Sequence, residues 1–158
     1  MKREPERSQD RLGVSIRRLP GHEDLPLPSY ATSGSSGVDL VAANREPLVV
    51  QRGEVVVVPT GLALAIPEGY EGQVRARSGL ALRHGLCLVN APGTIDADYR
   101  GEIGVIVTTL KEQPFVVERG LRIAQLVFCP VARMEWSVVQ ELPKTRRGAG
   151  GFGHTGTG

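Results

Sequence analysis

PLVVQRGEVVVVPTGLALAIPEGYEGQVRARS, residues 47–78, is the stretch on which the fold turns. Short runs of Val, Leu, Ile and Ala are cut at Gln51-Arg52-Gly53-Glu54 and again at Pro67-Glu68-Gly69. β-branched side chains pack well on a pleated surface, whereas Gly and Pro supply turn geometries and interrupt regular structure. The first run predicts two strands joined as a hairpin at residues 51–54, and GLALAIP and QVRARS flank a second turn, PEGYEG. Working outward, VSIRRL (14–19) alternates with Val14 and Ile16 on one face, and GVDLVAA (37–43) follows the Ser/Gly-rich SGSSG. GLCLVN (85–90), GEIGVIVTTL (101–110), FVVE (115–118), IAQLVFCPV (123–131) and EWSVVQ (135–140) read the same way, most of them bounded by Gly, Pro or Asn. Many short strands at close spacing predict an all-β sandwich or barrel. One short helical turn is expected at SGLALRHG (78–85), with Ser78 as N-cap and Gly85 as stop.

The ends differ from this middle. Residues 1–12 are dominated by charges of both signs and are expected to be a disordered extension. Residues 13–143 form one domain, a size that suits a single core. Residues 144–158 contain RRGAGGFGHTGTG, which has no core-forming pattern and predicts a flexible Gly-rich C-terminal arm. The net charge of +2, without a basic block, argues against a protein that coats nucleic acid. No apolar run approaches the ~20 residues of a membrane span, and the charged N-terminus is no signal peptide, so a soluble cytoplasmic protein is expected. Cys87 and Cys129 sit in apolar segments and read as small core residues, not as a disulfide framework. His22, His84 and His154 show no metal-ligand spacing.

Four segments carry possible chemistry. RARSGLA (75–81) places Arg77, Ser78 and Gly79 where a strand meets a helical turn, and such a junction can hold phosphate through backbone N–H groups and charge. Taken alone, the segment reads first as a capped helix with a surface Arg. NAPGTIDADYRGEI (90–103) sets Asp96, Asp98, Tyr99 and Arg100 beside a turn, where they can line a pocket or merely serve the turn. Asn90 can bond a base edge or cap that turn. ERGLRIAQLVF (118–128) is a core-type strand with Gln125 as its polar member. RGAGGFGHTG (147–156) joins Arg147, repeated Gly that permits backbone approach to phosphate, and Phe152 with a face for stacking on a base. Either Asp96 or Asp98, ionised at neutral pH, can accept a proton, and these residues alone do not choose between them.

In their order these motifs resemble the trimeric dUTPase family. SGVDL (36–40), RSGLA (77–81), GTIDADYRGEI (93–103), RGLRIAQL (119–126) and RGAGGFGHTG (147–156) match its five motifs across about residues 14–157. The resemblance implies a β jelly roll, or distorted barrel, that forms a homotrimer with active sites shared between subunits. It implies hydrolysis of dUTP to dUMP and pyrophosphate, which keeps uracil out of DNA and supplies dUMP for thymidylate synthesis. Asp96 matches the general base that activates the attacking water. Tyr99 matches the aromatic against the deoxyribose, where a 2′-hydroxyl would clash. Asn90 matches the residue beside uracil, and Thr94, Ile95 and Gly104 belong to the hairpin whose backbone reads the base. Arg77, Ser78 and Gly79 match the phosphate segment, Gln125 a polar group near the water, and Arg147 the γ-phosphate clamp. Phe152 matches the lid on uracil, with His154 and Thr155 where the arm touches phosphate. Asp39 matches the first-motif acid near a hydrated Mg²⁺, which such enzymes hold chiefly through substrate phosphates. Val38 stands where many members have Tyr, and His154 where many have Ser.

Two other readings compete. dCTP deaminases resemble the phosphate segment and use a Glu for their chemistry, and Glu102 lies near the corresponding place. A non-catalytic trimeric β module would fit the composition alone, but not Arg77, Asp96 and Arg147 together with the Gly-rich arm.

Overall fold

Alternation along Glu102–Thr109 becomes a strand whose odd-numbered residues face inward. Ile103, Val105, Val107 and Thr109 are almost wholly buried, while Gly104, Ile106 and Thr108 are only partly so. The computed structural model describes residues 11–151, and the same logic repeats through it. Its elements are β1 (Ser15–Arg18), β2 (Val38–Val41), β3 (Leu48–Val50), β4 (Val56–Ala65), β5 (Tyr70–Ala76), α1 (Ser78–His84), β6 (Leu86–Leu88), β7 (Gly93–Ile95), β8 (Glu102–Thr109), β9 (Phe115–Val117) and β10 (Arg122–Pro130). Two four-stranded antiparallel sheets, in the orders β1-β4-β8-β6 and β2-β10-β5-β7, are accompanied by the two-stranded β3-β9. Leu40, Val74, Ile123 and Leu126 from one sheet meet Val58, Leu86, Val105 and Val107 from the other in a single core. Full burial of such a side chain is worth roughly 1.5–3 kcal/mol, so the core, more than the short loops, fixes the sheets against each other.

The structure corrects four expectations. The turn at residues 51–54 forms, with Glu54 N–H donating to the Gln51 carbonyl, but it does not close a hairpin. β3 pairs with β9, β4 pairs with β1 and β8, and the turn carries the chain between sheets. EWSVVQ is not a strand: Trp136, Val138 and Val139 are exposed at 79%, 96% and 54%, and the segment joins no sheet among the described residues. Ser78 is the first helical residue, not the N-cap; Arg77 holds that place and no side-chain cap bond forms. Gly85 does end α1, at φ 62° in the left-handed region. Cys87 and Cys129 are free thiols, as expected, but only half-buried instead of in the core. In addition, β7 emerges inside the segment read as a turn.

A clasp of hydrogen bonds around Arg119 closes one end of the sandwich. Arg119 donates through Nε and Nη2 to the two carboxylate oxygens of Asp24, at 2.9 and 2.6 Å, and through Nη1 to the Ala43 carbonyl at 2.7 Å. The same guanidinium reaches the Gly21 carbonyl and His22 Nδ1. Hydrogen bonding from Arg119 holds the Asp24 carboxyl below the usual carboxylate range. No helix among the described residues is long and apolar enough to cross a membrane.

Candidate active site

β10 runs between β2 and β5, and its register decides which outward side chains share a row. Gln125 lies opposite Asp39 on one side and Arg75 on the other. Facing this row, the loop from Ser29 to Gly37 leaves a cavity of about 220 Å³ lined by Ser29, Ser35, Asp39, Arg75, Gln125 and Val127. Gly37 permits that approach: a Cβ there would stand 2.9 Å from Val127 Cγ2 and 3.2 Å from the Leu126 carbonyl.

Asp39 is the electrostatic centre of the group. Its Oδ1 is 3.0 Å from Arg77 Nε and its Oδ2 is 3.4 Å from Arg122 Nη1. The first contact has the distance of an ion pair but not the alignment of a hydrogen bond, and both atoms are shut off from solvent without another partner. Arg77 is further fixed by donating from Nη1 to the Arg122 carbonyl at 3.0 Å. Directly after it, Ser78 and Gly79 open α1, where first-turn N–H groups have no intrahelical acceptor. Arg77, Asp39 and Gln125, three residues singled out in the sequence, are thus gathered at one end of one sheet.

The second group lies elsewhere. Thr94 is opposite Gln73 and Ile95 opposite Gly72 on β7, the sheet's edge. Asn90 precedes β7, and a Cβ on Gly93 would stand 3.2 Å from its Nδ2. Beyond Ile95 the chain turns: Tyr99 N–H donates to the Asp96 carbonyl at 3.1 Å, and Arg100 Nη1 donates to the carbonyls of Ala97 and Tyr99. The turn is held by its own backbone, so the exposed carboxylates of Asp96 and Asp98 are engaged by no other described residue. Gly104 lies within β8, where a Cβ would meet Val57 Cγ1 at 2.8 Å. Arg77 is five positions beyond Gly72 on β5, so at about 3.3 Å per residue it stands roughly 16 Å along the strand from the level of Ile95. Arg77 and the start of the Asp96 turn therefore leave the sheet at different levels along β5.

The described part of the arm is exposed and bonded only locally: Arg147 Nε donates to the Gly150 carbonyl at 2.7 Å. Phe152, His154 and Thr155 lie outside the described residues. Arg75, Arg122 and Gly37 join the site without having been singled out in the sequence. Arg75 had a visible signal, since it alternates with Arg77 along the strand, whereas the close approach at Gly37 depends on long-range packing. Glu102, the residue that kept a deaminase in view, accepts the Gly61 N–H through its Oε1 at 2.8 Å. Among the described residues no group of three or more His, Cys, Asp or Glu can cage a metal.

Comparison with known proteins gives the family. A sequence model of the dUTPase family matches residues 23–156. The deoxyuridine 5'-triphosphate nucleotidohydrolase of Desulfotalea psychrophila is 58% identical over 134 residues, which cover 85% of this chain and 89% of that protein. Among solved structures, a mutant dUTPase of phage 80alpha is 26% identical with a TM-score of 0.78, over 90% of this chain and 98% of that one. Another structure of the Staphylococcus bacteriophage 80alpha enzyme, a mutant with dUpNHpp, is 25% identical with a TM-score of 0.78, over 92% and 99% of the two chains. The dUTPase of phage phi11 of S. aureus, described with a structural Mg(II) ion, shares the fold at 24% identity and a TM-score of 0.72, covering 82% of this chain and 97% of its own. The jelly roll expected from the motifs is the fold these structures share with the present one, and the chain belongs to the dUTPase family.

Proposed function

We propose that this dUTPase cleaves dUTP between the α- and β-phosphates, with Asp96 as the base for the attacking water. What supports the choice of Asp96 is its place in GTIDADYRGEI (93–103), within the span the family model matches, together with the turn at residues 96–100, which leaves its carboxylate, like that of Asp98, unengaged. In this reading Asp96 takes a proton from water as its oxygen bonds to the α-phosphorus. The bond from that phosphorus to the bridging oxygen breaks, and pyrophosphate departs. Arg77, with the N–H groups of Ser78 and Gly79, holds the phosphate chain. Gln125 orients the water, Arg147 clamps the γ-phosphate, and Phe152 closes over uracil with His154 and Thr155 on the phosphates. Asn90, Thr94, Ile95 and Gly104 frame the base, and the Tyr99 ring stands against the deoxyribose.

Mg²⁺ fits this set of residues. Asp39 borders the cavity, and with its Oδ1 already shut off beside Arg77 its carboxylate suits contact with a metal's coordinated water better than direct ligation. Bound to the substrate phosphates, the ion would neutralise charge on the leaving pyrophosphate.

The functional unit is a homotrimer in which each site combines subunits. Two features support this. Roughly 16 Å of strand separates the levels of Arg77 and Ile95 within one copy. The run from Val131 to Leu142 carries exposed Met134, Trp136, Val138 and Val139, which no other described residue covers, as a segment that docks on a neighbour would. Residues 13–143 then form the catalytic domain and residues 144–158 the arm that reaches an adjoining site. The protein works in the cytoplasm on free nucleotide, without nucleic acid or membrane.

Pyrophosphate release tests the chemistry. Asp96→Asn is expected to lower turnover by about 10²–10⁴-fold while dUTP binding stays within roughly tenfold. A far larger loss in Asp98→Asn, or release of orthophosphate, overturns the assignment.

A further inference from the structure

The loop that carries Asp96 ends against a firmly held part of the molecule. Tyr99 donates its phenol proton to the Glu102 carbonyl at 2.9 Å. Its ring lies over the α-carbon of Gly101, where a Cβ would stand 2.6 Å from Cζ and 3.0 Å from Cε2. Gly101 does not have a positive φ, so the ring, and not the backbone, is what forbids a side chain there. Behind the ring, β8 is tied to β4 twice. Glu102 Oε1 accepts the Gly61 N–H at 2.8 Å, and the Ile103 carbonyl accepts the buried Thr60 hydroxyl at 2.7 Å. Gly61, at φ 66°, sits in the irregular stretch of β4 between Pro59 and Ala63. Tyr99 itself remains 44% exposed.

We propose that Gly101 and Glu102 are positioning residues that set the angle of the Tyr99 ring and thereby the discrimination between deoxyribose and ribose triphosphates. The inference rests on the reading that Tyr99 faces the sugar. Because the phenol is spent on a main-chain carbonyl, the ring acts as a wall and not as a hydrogen-bonding reader of the substrate. A half-exposed tyrosine on a loop has two free side-chain torsions and can swing aside to admit a 2′-hydroxyl. A ring pinned at its far end to β8, with β8 pinned to β4, cannot.

The test is kcat/KM for dUTP and for UTP in the wild type, Tyr99→Ala, Tyr99→Phe, Gly101→Ala, Glu102→Ala and Glu102→Gln, with a melting curve for each. In Tyr99→Phe the ratio of dUTP to UTP is expected to fall about fivefold, the worth of one net hydrogen bond. Gly101→Ala, which displaces the ring bodily, lowers it further. Glu102→Ala lowers it as well, and Glu102→Gln, whose amide oxygen can accept the Gly61 N–H, restores most of it. A purely structural role would lower both rates together and leave the ratio alone. If Tyr99→Ala collapses the ratio while Gly101→Ala and Glu102→Ala keep it, the positioning role is overturned and the sugar reading stands. If Tyr99→Ala keeps the ratio, both are overturned. Tyr99→Phe removes a single oxygen and decides the question even if Gly101→Ala does not fold; an unchanged ratio there refutes the proposal.

Discussion

Replacing Asp39 with Asn keeps the shape of the side chain and removes the charge between two guanidinium groups. Arg77 Nε stands 3.0 Å from one carboxylate oxygen, with the two side chains only 25% and 20% exposed. Arg122 reaches the other oxygen at 3.4 Å and is 62% exposed. A hydrogen bond to a charged group contributes about 1.5–3 kcal/mol, and the Arg77 contact, an ion pair without that alignment, contributes less, a little over ~1 kcal/mol. The Arg122 contact, open to solvent, adds about 0–1 kcal/mol. Asp39→Asn should therefore cost about 1.5 kcal/mol, which for a domain of this size lowers the melting temperature by roughly 3–6 °C. The KM for dUTP should rise as well, because Arg77 loses the group that holds it beside Ser78. Melting at one fixed protein concentration, with Arg77→Gln and Arg122→Gln in double-mutant cycles, measures each coupling separately. The Asp39–Arg77 coupling should exceed about 1 kcal/mol and the Asp39–Arg122 coupling stay below roughly 0.5 kcal/mol. An unmoved melting temperature, or a larger coupling to Arg122, refutes this account of the cluster.

Ser78→Ala should leave the melting temperature unchanged, since the hydroxyl caps nothing, yet raise the KM for dUTP; a stability loss near the ~1 kcal/mol of a true N-cap would show otherwise. Arg147→Ala should lower kcat/KM with little effect on melting, because its one bond is local, and a large drop in melting temperature would make the arm part of the core. The Asp24 clasp gives a pH signature. Its folded pKa is depressed, so its stabilisation is complete above the unfolded value of ~3.9 and is lost as pH falls through the folded value. Accordingly the stability gap between wild type and Asp24→Asn should be constant near neutral pH and close in strong acid; a gap that widens on acidification would reverse the sign.

Much of the fold was legible because burial follows alternation, as in β8, where one residue of each pair meets the core. Pairing was less legible. The Val-rich runs on either side of Gln51–Glu54 suit a hairpin locally, yet Leu48 pairs with Val117 and Val56 with Val107, choices made by distant strands that leave no local mark. The three residues of β7 are too few to show a period. EWSVVQ displayed the alternation of a strand but finds no partner strand among the described residues, because alternation marks a face and not the element that covers it. In the site, residue types disclosed Asp39, Arg77 and Gln125 one by one. Their convergence follows from the register of β2, β5 and β10, and glycines such as Gly37 and Gly101 carry meaning only once their neighbours are known.

Complementation between two inactive proteins decides whether copies share the active site. One inactive protein carries Asp96→Asn with its arm intact; the other keeps Asp96 and ends at Thr145. In either homotrimer every site lacks the base or the arm. Co-refolded together, they should regain pyrophosphate release from dUTP, because Asp96 of a shortened subunit can receive a neighbour's arm. A mixture that forms hetero-trimers by sedimentation and mass analysis yet stays as inactive as its parents would mean that no site combines one subunit's Asp96 with another's arm.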